Sequence, residues 1–343
     1  MYSACQAKGP PPDVRREEGR AGYDVDQMFR LQLAVLVAIA CLVPAIGGAA
    51  GDNQDAEEAP HRRALIDGLK KVESRLGFGA TRNFARADDR VSAYYRCYYT
   101  GPLELPESYT GLRLRSGTQN GCFMNPTKYD VFFYPIEAVA SGRAPVTRAL
   151  EAASEDRVAM VVPHEDFHAQ VRGLPGAFAE AAATLVGFLT ADEFRDAGSG
   201  HSGATGEADL FLRKAEIVNR YYGRIRELYR SVREGLVPRA AGLERKRLLF
   251  SSLERECGAI APAPRSFNRC LSAANNAGLA FDHTYTVYYP LLYRVFVAQG
   301  RDLRATIQAI ENAPKTRRER DVARYFSEIA EAGRERRSQP VGF

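Results

Sequence analysis

The chain has no tryptophan, only four methionines, five histidines and six cysteines among 343 residues, and no apolar run beyond residue 50 long enough to cross a bilayer. The missing tryptophan excludes nothing, because 17 tyrosines and 17 phenylalanines supply aromatic packing. Neither sign of charge dominates. The 47 Lys and Arg residues against 42 Asp and Glu leave a net +5, too small an excess to serve as a nucleic-acid footprint, so no nucleic-acid partner is expected. The cysteines lack the close paired spacing of a zinc knuckle. The glycine-rich segment 198–203 lacks the Lys-Ser/Thr ending of a phosphate-binding loop and reads as a connection. A hydrophobic share of 45% excludes a mainly disordered chain.

The longest apolar stretch, 33–46, is followed by Gly48-Ala49-Ala50, the small-residue pattern of a signal-peptidase site. Residues 28–50 are therefore expected to be a signal peptide cut after Ala50, with translation starting at Met28 and residues 1–27 an upstream extension. This points to a periplasmic or secreted protein without a transmembrane span. Cys41, after Ala38-Ile39-Ala40, has a rival role as the lipid-carrying cysteine of a lipoprotein. Removal of the leader leaves Cys97, Cys122, Cys257 and Cys270, an even number suited to an oxidising compartment. The sequence-local pairings, Cys97 with Cys122 and Cys257 with Cys270, are the simplest.

Residues 51–60 read as an acidic linker and 61–335 as the folded domain. A helix is expected over 62–76, where Leu65, Ile66, Leu69, Val72 and Leu76 share a face. Between 91 and 135 the tyrosine-rich and β-branched composition predicts two to four short strands. Beyond Pro145 the pattern is helical, including a long helix from about 207 to 234 closed by Gly235 and Pro238. The fold class is α+β, mainly α, with a small sheet upstream of a helical C-terminal half.

One segment carries chemistry. His164-Glu165-Asp166-Phe167-His168 is His-Glu-x-x-His; on a helix residues i and i+4 lie about 40° apart, so both imidazoles reach one metal ion while Glu165 stands beside it. With five histidines in the chain, composition gives a chance match on the order of a percent or less. A catalytic zinc keeps three protein ligands and one open position. Val171 and Leu174 stand where a metzincin has Gly and His, so the third ligand is sought on a second helix. Glu180, beyond the turn Gly173-Leu174-Pro175-Gly176, fills that place if the two helices run antiparallel.

The stretch HEDFHAQVRGLPGAFAEAAATLVGF resembles the core of a bacterial family of predicted aminopeptidases, zincins of the glutamate-ligand type with an export or lipoprotein signal. KAEIVNRYYGRIRELY and NNAGLAFDHTYTVYYPLLYRVF extend the resemblance over about 62–310. The resemblance implies a zincin-like catalytic unit, zinc held by His164, His168 and Glu180, Glu165 as catalytic acid/base, and a peptide substrate. Four features depart from the family pattern: Asp166 puts a charge on the far side of the helix, Pro163 removes an amide donor, Ala179 replaces Asn, and the spacing to Glu180 is one residue short. Tyr285 and His283 are candidate donors to a developing oxyanion, while His61 and His201 read as bystanders. Two functions compete: an exported zinc peptidase, and a catalytically degenerate envelope protein of the same fold serving as a binding or scaffolding module. Endo- against exopeptidase action and oligomeric state stay open at this level.

Overall fold

Buried Leu65, Ile66, Leu69 and Val72 root the first helix, α1 (Asp52–Leu76), against the rest of the molecule. In the computed structural model, which describes residues 52–139, 141–199 and 206–338, this helix begins ten residues before the 62 set by periodicity. The segment expected as a linker is thus helical backbone. Its run of Ala56, Glu57, Glu58 and Ala59 favours helix, and acids near a helix N-terminus complement the macrodipole. The leader 28–50, the extension 1–27, Cys41 and His201 lie outside the described residues.

Three strands follow: β1 (Tyr94–Thr100), β2 (Arg113–Ser116) and β3 (Asp130–Ile136), in the order β2-β1-β3, all antiparallel. Cys97 faces Arg115 on one side and Phe133 on the other, and β3 is an outer strand. The remainder is helical: α2 (Arg148–Glu151), α3 (Glu155–Phe167), α4 (Gly176–Ser199), α5 (Glu207–Arg233), α6 (Arg239–Gly258), α7 (Asn276–Thr286), α8 (Tyr289–Ala298), α9 (Leu303–Glu311) and α10 (Glu319–Ser338). The fold is α+β and mainly α, as the composition of the segments required.

The centre of the molecule is the α3–α4 pair, the most extensive helix contact. Around it Leu69, Leu150, Val162, Phe167, Phe178, Phe188 and Phe326 form the main core, fully buried. A second core joins α5 to α6 through Tyr221, Ile225, Leu253 and Cys257. A third packs the sheet on α7 through Tyr98, Phe132, Ala277 and Phe281. The sheet is therefore held against the helix that carries Tyr285.

Both expected disulfides are present. Cys97–Cys122 ties β1 to the loop before β3, and Cys257–Cys270 ties the end of α6 to the loop before α7. Closing loops of 25 and 13 residues stabilises by about 3 kcal/mol each in the chain-entropy model, so Cys97→Ser and Cys257→Ser should each lower unfolding free energy by that order. Non-reducing peptide mapping checks the pairing, and four free thiols in protein recovered from an oxidising compartment would overturn it. No helix among the described residues is long and apolar enough to cross a membrane.

Candidate metal centre and active site

Ser154 caps α3 by accepting a hydrogen bond from the Arg157 amide, with Glu155 and Asp156 in the first turn. Helix α3 thus begins eight residues ahead of Pro163 and runs through it, so the missing amide donor does not end the helix. His164 and His168 sit at the end of α3, their Nε2 atoms 3.2 Å apart. Gly173, at φ +92°, and Pro175 reverse the chain into α4. Phe178, stacked on Tyr288 at 3.6 Å, pins the first turn of α4. Glu180 then projects back towards α3, its Oε2 3.5 Å from each histidine Nε2.

These three donors form one cluster, all within 4.8 Å of one another, that could hold a metal ion. The separations allow a sharper test. Three ligands bonded tetrahedrally at about 2.0–2.1 Å stand roughly 3.3 Å apart. The observed 3.2, 3.5 and 3.5 Å match this, so the side chains are already spaced for a shared ion.

The surroundings orient the trio. Tyr109, in a 3-10 turn (Tyr109–Gly111), donates to Glu180 Oε1 at 2.9 Å, leaving Oε2 to face the imidazoles. Thr184 Oγ1 lies 3.5 Å from His164 Nδ1. Burial raises the Tyr109 hydroxyl far above its ordinary pKa, with the Glu180 carboxylate adding to the effect, so it remains a donor. Burial alone would raise Glu180 as well, but hydrogen bonds to both histidines hold it well below the carboxylate range. Glu165 is pushed up, chiefly by burial, against the opposing pull of the two imidazoles. Tyr109 was missed in the sequence because it stands 71 residues from Glu180 in an irregular loop, where no spacing rule operates.

A cavity of about 510 Å³ opens against the cluster. His164, Glu165 and Tyr285 form one wall, and Tyr134, Pro135 and Ile136 of β3 another. Tyr285 is thus at the centre, its hydroxyl kept protonated by burial and by the nearby carboxylates. His283 is elsewhere. Its ring stacks on Tyr222 at 3.5 Å, its Nδ1 is bonded to the Glu107 carbonyl at 2.7 Å, and burial lowers its pKa to about 4. His61 pairs with Glu155 on the surface. Glu207, another carboxylate on the helical half, accepts from the amides of Arg265 and Ser266.

Residues 140–323 match the family model described as "Putative aminopeptidase". The chain belongs to that family. No curated protein and no solved structure matches it. Within this aminopeptidase family member, the unusual charge at Asp166 has a structural explanation. Its carboxylate, 1% exposed, is ion-paired with Lys70 of α1 and accepts hydrogen bonds from Thr81 and, at 2.9 Å, from Asn83. Asn83 also reaches the Glu165 carbonyl at 3.4 Å. The charge thus clasps the motif helix to α1 from behind, on the side away from the metal cluster.

Glu73, 3.7 Å from Lys70, completes this clasp and is raised to about 9 by burial and by Asp166. The folded state therefore holds a proton that the unfolded chain releases above about 4.5, so stability should fall as pH rises from about 4.5 towards 9. Glu73→Gln should flatten that slope and be more stable than the parent at pH 9; urea unfolding at several pH values checks it, and an unchanged slope would refute the assignment.

Gly187 permits the close approach of α3 and α4. A Cβ there would stand 2.9 Å from the Met160 carbonyl oxygen and 3.2 Å from His164 Cβ. Gly187→Ala should therefore force the helices apart, costing about 1–3 kcal/mol and weakening divalent-metal binding by displacing His164 from Glu180. Thermal melts and metal titration measure both, and an unaltered affinity would sink the second claim.

Proposed function

We propose that this chain is an exported zinc-dependent peptidase in which His164, His168 and Glu180 hold the metal and Glu165 is the general base. The observation that carries the reading is the cluster, among the described residues, of two motif histidines and a glutamate from the antiparallel helix, at tetrahedral spacing, beside a cavity that Glu165 shares. Two imidazoles and one carboxylate make a donor set suited to a catalytic zinc with an open fourth position. Zinc bound there would lower the pKa of a water and polarise a substrate carbonyl. Glu165, raised in pKa by burial, is suited to take a proton from the attacking water and deliver it to the leaving amine. Tyr285 supplies a protonated donor towards the charge that develops on the carbonyl oxygen. An extended peptide lies along the outer strand β3, which borders the cavity.

Export rests on the leader at 28–50 and on the two disulfides, which belong to oxidising compartments. The domain proper is taken as 61–335, preceded in the helix α1 by the acidic residues 52–60. The degenerate-scaffold reading drew its support from Asp166 and Pro163. Lys70 gives Asp166 a structural partner and α3 passes through Pro163, so that support weakens. Metal analysis of the purified protein, followed by hydrolysis of a mixed peptide library with and without chelator, tests the proposal. Stoichiometric zinc with no cleavage of any peptide would favour the scaffold, and no zinc at all would remove both the metal and the mechanism.

A further inference from the structure

The cavity beside the metal cluster has a chemistry of its own. Its floor is a cluster of three rings, Phe188, Phe211 and Phe267, with centroids 5.1–5.4 Å apart. Its volume falls within the roughly 300–1,000 Å³ usual for pockets that enclose small ligands. The ionic groups in its walls are committed to one another. Arg157 holds Glu137 through two contacts of 3.1 Å and also binds the Ser266 carbonyl. Lys214, buried in the wall, is 3.2 Å from Asp282 and 3.3 Å from the Asn268 carbonyl. Arg265 faces Asp156 and Glu207 at 3.6 and 3.9 Å. Among the described acidic and basic groups of these walls besides His164, Glu165 has no ion-pair partner.

A charged side chain entering this space would leave its hydration and meet partners already taken, which is costly. An apolar one would exchange water for aromatic rings. We propose that this cavity is the specificity pocket of the enzyme and takes a large, uncharged side chain of the phenylalanine, tyrosine or leucine class from the residue adjoining the scissile bond. The inference rests on the peptidase reading and adds the substrate class to it. It also bears on the name of the family: neither Glu137 nor Asp282 is free to bind a substrate's α-amine, so selection at this wall is by side-chain bulk.

The test uses two arms. In the first, zinc-loaded wild type is assayed on free and N-acetylated hexapeptides that differ at one position, occupied by Phe, Tyr, Leu, Ala, Glu or Lys. kcat/KM should be roughly 10- to 100-fold higher for the large apolar residues than for Ala, with Glu and Lys lowest. In the second, fluorescein-labelled versions of the same peptides are titrated into Glu165→Gln and followed by anisotropy, so binding is read without turnover.

Ala153→Phe fills the cavity from its rim without removing a core side chain, and Ala149→Leu does so from α2. Either should erase the apolar preference in both arms, leaving the Phe and Leu peptides no better than the Ala peptide; melting curves show which variant is folded. Cleavage without side-chain preference overturns the pocket and leaves the peptidase reading standing. Apolar preference in binding with no peptide cleaved upholds the pocket and overturns the peptidase reading. Equal binding of Phe and Glu peptides overturns the pocket whatever the first arm gives.

Discussion

Glu165→Gln is expected to keep zinc in place and to slow peptide hydrolysis roughly 100- to 10,000-fold, the range in which a positioned general base contributes. The substitution preserves the size of the side chain and removes its basicity, so the metal cluster, built from His164, His168 and Glu180, is untouched. Glu180→Ala should behave differently. It deletes a proposed ligand, so zinc affinity itself should fall, and activity should be lost with it or return partly at high zinc. It also leaves the Tyr109 hydroxyl without its acceptor. Glu193→Ala, an exposed carboxylate further along α4, should alter neither property. Metal content by elemental analysis and kcat/KM on one peptide separate the three. Unchanged zinc affinity in Glu180→Ala would show that the third ligand is misassigned.

The second large effect concerns the rear of the motif helix. Lys70→Met should lower unfolding free energy by roughly 3 kcal/mol, because it strands the buried Asp166 carboxylate without its cation. The expected loss sits at the low end of the range for broken buried pairs, since the Lys70 side chain is itself 28% exposed. Combining Lys70→Met with Asp166→Asn removes both charges while keeping the Asn83 and Thr81 contacts possible, and should recover much of the stability. Urea unfolding of the two single variants and the double gives the coupling. A single-variant loss below about 1 kcal/mol would mean that the clasp contributes little more than a surface ion pair.

His-Glu-x-x-His was legible because its spacing encodes geometry directly: four residues on a helix put two imidazoles side by side wherever that helix lies. Glu180 followed for a related reason. Residues 173–176 read as a turn before a second helix, and an antiparallel pair could bring the Glu180 carboxylate back to the histidines, 3.5 Å from each of which it lies. The disulfides followed from cysteine number and proximity in sequence. The α+β class followed from where the periodicity changed. All of these are local properties, carried by residues within a few turns of one another.

The parts left to the tertiary structure depend on contacts between distant segments. Tyr109 reaches Glu180 only because the sheet and α7 bring its 3-10 turn over the His164, His168 and Glu180 cluster. Tyr285 and His283, two residues apart and alike on paper, were separated by helical geometry: one faces the cavity and the other is stacked on Tyr222. Asp166 looked like damage to a catalytic motif until Lys70, 96 residues upstream, turned out to be its partner. Helix α1 likewise starts at Asp52 rather than 62, running through Pro60 as a continuation of the turns anchored by its buried stripe, where no periodicity signals it. Spacing along one helix determined which imidazoles can meet; packing between helices decided what surrounds them, because burial and charge pairing are set by neighbours that chain order does not reveal.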